Sequence, residues 1–356
     1  MREAGELAER AGDIARHANV HNYLTAHYWQ AGEHARAIEH GEKGIALAER
    51  AGDFSVLFTT IQHLGIAFNA RGEFERQVEL HRRVAKELTG PPAYHRHGMA
   101  GYPATITRGF LAWGLAELGE FDEALSWARE GVEIASEVNS AMSTVWVTDY
   151  LALTHLRHGD FCEAITLLEP NFELCERAEV RLLRTITCGI LGLALSTAGR
   201  HSDAIPLLEL AVDADTLRYH PEGSGYPFVW LADGYLRAAR LSEAHEAAAR
   251  ALAIARKQDE RGHEAWALFT QAEIERANRS SVESVISAYD IALDIAKLCS
   301  MHPLTARCHF GLALTDIEME GGKEESQSLN KARDSFSAMG MKHWLDQVDG
   351  LLEIPS

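Results

Sequence analysis

The side chains best suited to chemistry in this chain form an aromatic and charged set: Trp113, then Trp146, Asp149, Tyr150 and Arg157, then Tyr226, Trp230, Asp233 and Arg237. Tyr, Trp and Arg bury much surface while keeping a polar handle, and they dominate binding hot spots. The chemistry they offer is recognition of a peptide or protein, with the aromatics as anchors and the charges as orienting groups. The plainer alternative for each aromatic is packing between successive helices. Asp233 and Arg237, one helical turn apart, can simply pair with each other. A second candidate is His95-Arg96-His97, able to grip an anion or a metal from a loop or to stand solvated in it.

Catalytic signatures are lacking. Cys299, His302, Cys308 and His309 carry ligand atoms, but without the tight paired spacing of structural zinc sites, so buried thiols and a surface imidazole are expected. His263-Glu264 begins like a zinc-protease helix, yet position 267 is Ala and the second ligand is missing. No Gly-rich stretch is followed by Lys-Ser or Lys-Thr, and Gly322-Lys323-Glu324 lacks the hydroxyl that would reach magnesium. No GxSxG elbow occurs. The sequence therefore gives no catalytic residue, metal or cofactor, and the chain itself is not expected to be an enzyme.

The elements that position these side chains are repeated. Leu7-Ala8-Glu9-Arg10-Ala11-Gly12-Asp13 recurs letter for letter as Leu47-Ala48-Glu49-Arg50-Ala51-Gly52-Asp53, 40 residues later. Gly32, Gly72, Gly119, Gly159, Gly199 and Ala239 mark turns at intervals of 40, 47, 40, 40 and 40. Periods in this range signal a solenoid. In the unit from about Val145 to Val180, Thr148, Leu151, Ala152 and His155 make the stripe of an amphipathic helix. Gly159 suits the left-handed end of that helix, and Asp160 is expected to accept from the free amides of the next. The second helix carries Ala164, Ile165 and Leu168. Ala124, Ala164, Ala204 and Ala244 lie 40 apart, where two helices must approach closely, and Leu111, Leu151, Leu191 and Leu231 share the interval.

These landmarks resemble the tetratricopeptide repeat: Leu64-Gly65…Gly72-x-Phe74, Leu111-Ala112…Gly119-x-Phe121…Ala124, Leu151-Ala152…Gly159-x-Phe161…Ala164 and Leu191-Gly192…Gly199…Ala204. His201 and Leu241 replace the aromatic, Gln77 replaces the Ala, and the unit is 40 residues rather than 34, implying longer helices. The resemblance implies a right-handed superhelical solenoid, all-α, of about eight antiparallel helix pairs, with the aromatic set on the concave face. A narrower resemblance is carried by His97-Gly98-Met99-Ala100-Gly101-Tyr102-Pro103 with Arg108 to Phe121, by Arg261 to Leu268, and by Pro303 to Ala313. These are similar to the C-terminal repeat region of large bacterial signalling proteins that combine a class III nucleotide cyclase, an AAA-like ATPase and tetratricopeptide repeats.

One elongated domain over 1–356 is expected. Residues 1–18 read as the second helix of a truncated unit, as if the chain were taken from a longer protein, 19–300 as seven helix pairs with a loop insertion at 89–103, and 301–356 as the last unit and a closing helix. A second irregular stretch runs from Tyr219 to Pro227, and the last unit has Gly321-Gly322 with Ser326 at the small position. Either stretch is a connector that accommodates a bend or a ligand-contacting loop.

Of the 356 residues, 46% are apolar, and 34 basic residues against 52 acidic give a net charge of −18. With no basic track to neutralise phosphates, nucleic acid is not an expected partner. Apolar runs such as Ile186 to Leu195 are too short to span a bilayer. The start of the chain lacks a secretion signal, and five cysteines form no CxxC pair, so a cytoplasmic protein without disulfides is expected. The functional expectation is a noncatalytic peptide- or protein-binding module, a regulatory arm of a larger signalling protein. The alternative is a small-ligand sensor gating an attached cyclase or ATPase.

Overall fold

Each interval folds as two helices because apolar residues recur at helical spacing on both sides of a turn former. The computed structural model describes residues 2–213, 225–320 and 327–352. Eighteen α-helices and no strand are present among the described residues. After α1 (Arg2–Arg10) the helices run in pairs: α2 (Ile14–Gln30) with α3 (His34–Ala51), α4 (Phe54–Arg71) with α5 (Phe74–Glu87), and α6 (Pro103–Leu118) with α7 (Phe121–Glu137). The series continues with α8 (Ala141–His158) and α9 (Phe161–Arg177), α10 (Arg184–Thr197) and α11 (His201–Ala211), then α12 (Tyr226–Arg237) and α13 (Leu241–Gln258). Last come α14 (Arg261–Ala277) and α15 (Val282–Leu298), α16 (His302–Glu320) and α17 (Gln327–Ala338), followed by α18 (Lys342–Leu352). Each helix packs on the next, so the chain is an all-α helical-repeat solenoid. Tyr219 to Ser224, Gly321, Gly322 and Ser326 lie outside the described residues, whereas Tyr226 and Pro227 open α12. The insertion at 89–103 is a 3-10 turn over Pro91–Tyr94 and an irregular run ending at Pro103, the first residue of α6.

Ala124, Ala164, Ala204 and Ala244 are all fully buried, and Leu111, Leu151, Leu191 and Leu231 are buried beside them. Where Gln77 replaces the Ala, its amide is also fully buried and must find partners. It donates from Nε2 to the Phe110 carbonyl at 3.0 Å and accepts at Oε1 from Asn69 at 3.3 Å. At the turn of the α8–α9 pair the expected cap is not made. Asp160 starts α9 without accepting from its amides. Its Oδ2 lies instead 2.8 Å from Nδ1 of His158 and 3.2 Å from Nδ1 of His155, two imidazoles at the end of α8 that compete for the same carboxylate. Asp13, Asp53, Ser140 and Ser281 do cap their helices.

The solenoid coils back on itself instead of extending as an open ribbon. Gly72 has φ +73°, and a Cβ there would stand 2.5 Å from the Cys299 sulfur, so its lack of a side chain serves both the turn and a contact with a unit far along the chain. Gly119 abuts Met339 and Gly159 abuts His343 in the same way. Arg71 bonds to Asp259, and Ser300 Oγ lies 2.9 Å from Glu75. The chain exposes 15460 Å², close to the about 14,000 Å² expected of a compact monomer of this mass. Coiling brings the first helices of distant pairs face to face, which is what builds the interior site. Among the described residues no helix is long and apolar enough to cross a membrane.

Candidate functional site

An aromatic ladder lines the inside of the coil. Trp146 on α8 donates from Nε1 to the Ile106 carbonyl at 3.2 Å, and its ring meets Tyr150 at 5.0 Å. Tyr150 stacks on Trp113 of α6 at 5.1 Å, Trp113 faces Tyr226 of α12 at 6.3 Å, and Tyr226 meets Trp230 at 4.8 Å. Trp146 and Tyr150 on α8, Trp113 on α6, and Tyr226 and Trp230 on α12 supply the ladder, and glycines make room for it. The Trp146 ring rests on Gly109 and the Trp230 ring on Gly189, where any Cβ would clash. These rings wall a cavity of about 150 Å³, closed further by Leu153, Ile186 and Ile190. The spacing argument thus brings five of its aromatics, Trp113, Trp146, Tyr150, Tyr226 and Trp230, to one place.

The polar wall of this cavity comes from residues that the sequence reading did not connect. Glu260, at the start of α14, is buried; its Oε1 lies 3.2 Å from Nε2 of His34, and its Oε2 lies 3.0 Å from Nδ1 of His263. The backbone amide of Gly225 also donates to Oε2. Burial pushes the Glu260 carboxyl up, but the charge and hydrogen bond of His263 and the bond with His34 outweigh it, and the net pKa falls to about 2. His34 Nδ1 and His263 Nε2 are buried without a protein partner. Both imidazoles line the cavity.

Behind Trp230 and Tyr226 lies a smaller chamber of about 40 Å³. It collects Arg157, Asp233 and Arg237, with Arg307, Trp266 and Trp344. Arg237 holds Asp233 at 2.6 Å, so these two charges satisfy each other first. Arg157 donates from Nε to Glu117 at 2.9 Å, and its guanidinium lies over the Trp266 ring at 3.9 Å. Glu117 is the hub of the interior: besides Arg157 of α8 it accepts from Trp266 of α14 at 3.0 Å and from Tyr226 of α12 at 3.4 Å.

Two of the candidates lie apart from both chambers. Asp149 does not orient a ligand in the cavity, because both of its oxygens are taken inside the α8–α9–α10 interface by Thr187 at 2.7 Å and Asn171 at 2.8 Å. It is 1% exposed. His95, Arg96 and His97 belong to neither chamber. His97 packs on Phe58 at 4.9 Å and Arg96 covers Tyr102 at 5.1 Å. Cys299, Cys308 and His309 are buried, and of the two imidazoles only His302 is exposed. A hint of the hub was present in the sequence, since Glu117 interrupts the apolar run Leu115-Ala116-Glu117-Leu118 just before a turn. Its partners, 40, 109 and 149 residues away, were not indicated.

No protein-family model matches the chain, and no curated protein matches it. Solved structures do. A Rap protein complexed with Competence and Sporulation Factor is 13% identical with a TM-score of 0.59, covering 94% of this chain and 99% of that one. The Rap conjugation gene regulator of the plasmid pLS20, in complex with the Phr* peptide, is 12% identical with a TM-score of 0.61, covering 95% and 98%. Aspartyl phosphate phosphatase F from Bacillus subtilis is 11% identical with a TM-score of 0.51, covering 98% and 92%. At these identities the likeness is one of fold, and it agrees with the tetratricopeptide-like hairpins of this chain.

Proposed function

We propose that the chain is a noncatalytic interaction module whose ligand, a peptide or a protein segment, places one bulky apolar side chain in the aromatic cavity. The observation that carries this is the cavity itself. Repeat cores close-pack, yet this one keeps a space of about 150 Å³ walled by the five aromatic rings of the ladder. No packing demand explains keeping it. A space of this size accepts one ring, and the unpaired nitrogens of His34 and His263 supply a polar edge for the backbone that follows it. Two of the structures sharing the fold hold the Competence and Sporulation Factor and the Phr* peptide, which supports a peptide as the class of ligand.

A second reading, a sensor that gates an attached cyclase or ATPase, gains support from one feature. The cavity wall includes His34 from the first pair and Glu260 and His263 from the seventh, so an occupant touches both turns of the coil and can change how they fit. The two readings share the same test. Calorimetric titration with N-acetylphenylalaninamide should show binding to the native chain and none to Ile190→Phe, whose added ring fills the space. Ile190 is fully buried in the cavity wall, and a filled cavity should leave the melting temperature unchanged or raised. Undiminished affinity in a folded Ile190→Phe variant would remove the cavity from the binding site.

A further inference from the structure

The smaller chamber is lined by donors that lack acceptors. Arg157 is 7% exposed and its Nη2 has no partner. Trp230 is 4% exposed and its Nε1 has none either. The Trp344 Nε1 is buried and equally unpartnered. Arg307, the fourth, is half-buried and lies over the rings of Phe269 at 4.5 Å and Trp344 at 4.6 Å. Among the described residues no carboxylate comes within ion-pair distance of it. The acids nearby are engaged elsewhere: Asp233 is held by Arg237, Glu117 by Arg157, and Glu273 by Arg276 and Tyr289.

Such an arrangement is costly without an occupant. A buried donor with no acceptor loses about 1–3 kcal/mol, and more when it is charged, which applies to the Arg157 Nη2 and to the two indole nitrogens. Burial is the largest influence on Arg307 and lowers its pKa to about 10; Arg237 and Arg157 push the same way, while Asp233 and Glu273 push back. Negative charge with oxygen acceptors is what these donor residues, all lining one chamber, lack. We propose that this chamber is a carboxylate subsite, in which a carboxylate of the ligand bonds to Arg307, Arg157 and the indole N–H groups of Trp230 and Trp344. The inference rests on the preceding reading of the aromatic cavity, because Tyr226 and Trp230 wall both chambers and a single ligand can occupy both. Size selects the anion: about 40 Å³ holds roughly three waters at about 10–15 Å³ each, enough for a carboxylate. The ligand class is thus an apolar residue joined directly to an acid, supplied by a peptide C-terminus or by a neighbouring Asp or Glu side chain.

The experiment is calorimetric titration of the full chain with N-acetylphenylalanine, its amide, and N-acetylphenylalanyl-aspartic diamide, which carries only a side-chain carboxylate. At least one acid should bind about tenfold or more tightly than the amide, as charge-assisted hydrogen bonds require, and the acid that does so identifies the source. Arg307→Gln should reduce this preference to about twofold or less and leave the amide's affinity unchanged. Trp344→Phe, which keeps a ring and removes one N–H, should weaken the acids severalfold without affecting the amide. It gives a second readout should Arg307→Gln fail to fold. Equal affinity for acids and amide overturns the carboxylate subsite while the aromatic cavity stands. No binding of any probe overturns both. A preference that survives intact in Arg307→Gln and in Trp344→Phe overturns the assignment to this chamber.

Discussion

Asp149 shows how a side chain's surroundings change its chemistry. Burial pushes its carboxyl well above the usual carboxylate range, against the opposing pull of hydrogen bonds from Thr187 and Asn171. The folded chain therefore holds this proton more tightly than the unfolded chain does. Its contribution to stability is full below the unfolded pKa of about 4 and declines as pH rises toward the folded value. An amide can accept from Asn171 and donate to the Thr187 hydroxyl, which then bonds to the Leu183 carbonyl. Asp149→Asn should accordingly melt above the native chain at pH 8, with the gap closing near pH 4. A variant that melted lower at pH 8 would mean that the charged form is the one the interface needs. For Trp230 the residue scale gives a different answer, because its ring is 4% exposed and seated on Gly189. Trp230→Ala should cost about 3–5 kcal/mol in chemical denaturation, whatever part the indole plays in binding. A cost below about 1 kcal/mol would show that the ring does not pack there.

At the scale of the helix pair, sequence spacing was a sufficient guide. The 40-residue interval of Ala and Leu placed the buried contacts correctly, since hairpin packing depends on which residues share a face, and spacings of three and four report that. Ala164 is fully buried and Glu163 beside it is exposed. Ala164→Glu should lower stability by about 3 kcal/mol or more, because it forces bulk and an unpaired charge between two helices, and Glu163→Gln should change it by less than about 0.5 kcal/mol. Equal melting of the two variants would break the register assigned to the repeat. What spacing could not give was the competition at helix ends. A carboxylate beside two imidazoles, as at Asp160, has partners other than the amides it was expected to cap, and choosing among them requires the position of the preceding turn.

At the scale of the whole molecule the sequence was least informative, for a physical reason. Superhelical pitch accumulates from small rotations between successive pairs, so no local pattern states that His34 will meet Glu260, 226 residues away. The aromatic ladder could be listed from the sequence, but its conversion from an open trough to a walled cavity could not. Nor could the His34–Glu260–His263 junction, on which the last prediction rests. A carboxyl whose folded pKa is depressed to about 2 adds stability above its unfolded pKa of about 4.3 and loses it as pH falls through the window between the two. Acidification from pH 5 toward 3 should therefore weaken the junction before the hairpins. Glu260→Gln leaves two imidazoles without their carboxylate and should mimic that weakening at neutral pH. The native chain should scatter with a radius of gyration within a few ångströms of the about 21 Å of a compact protein of this length. The variant should be larger, with its far-UV circular dichroism unchanged, because the hairpins stay stacked while the turns of the coil separate. Unchanged scattering in Glu260→Gln would show that apolar contacts such as Gly72 against Cys299 hold the coil closed without the ionic junction. A parallel loss of helicity would show that coil and hairpins form one cooperative unit.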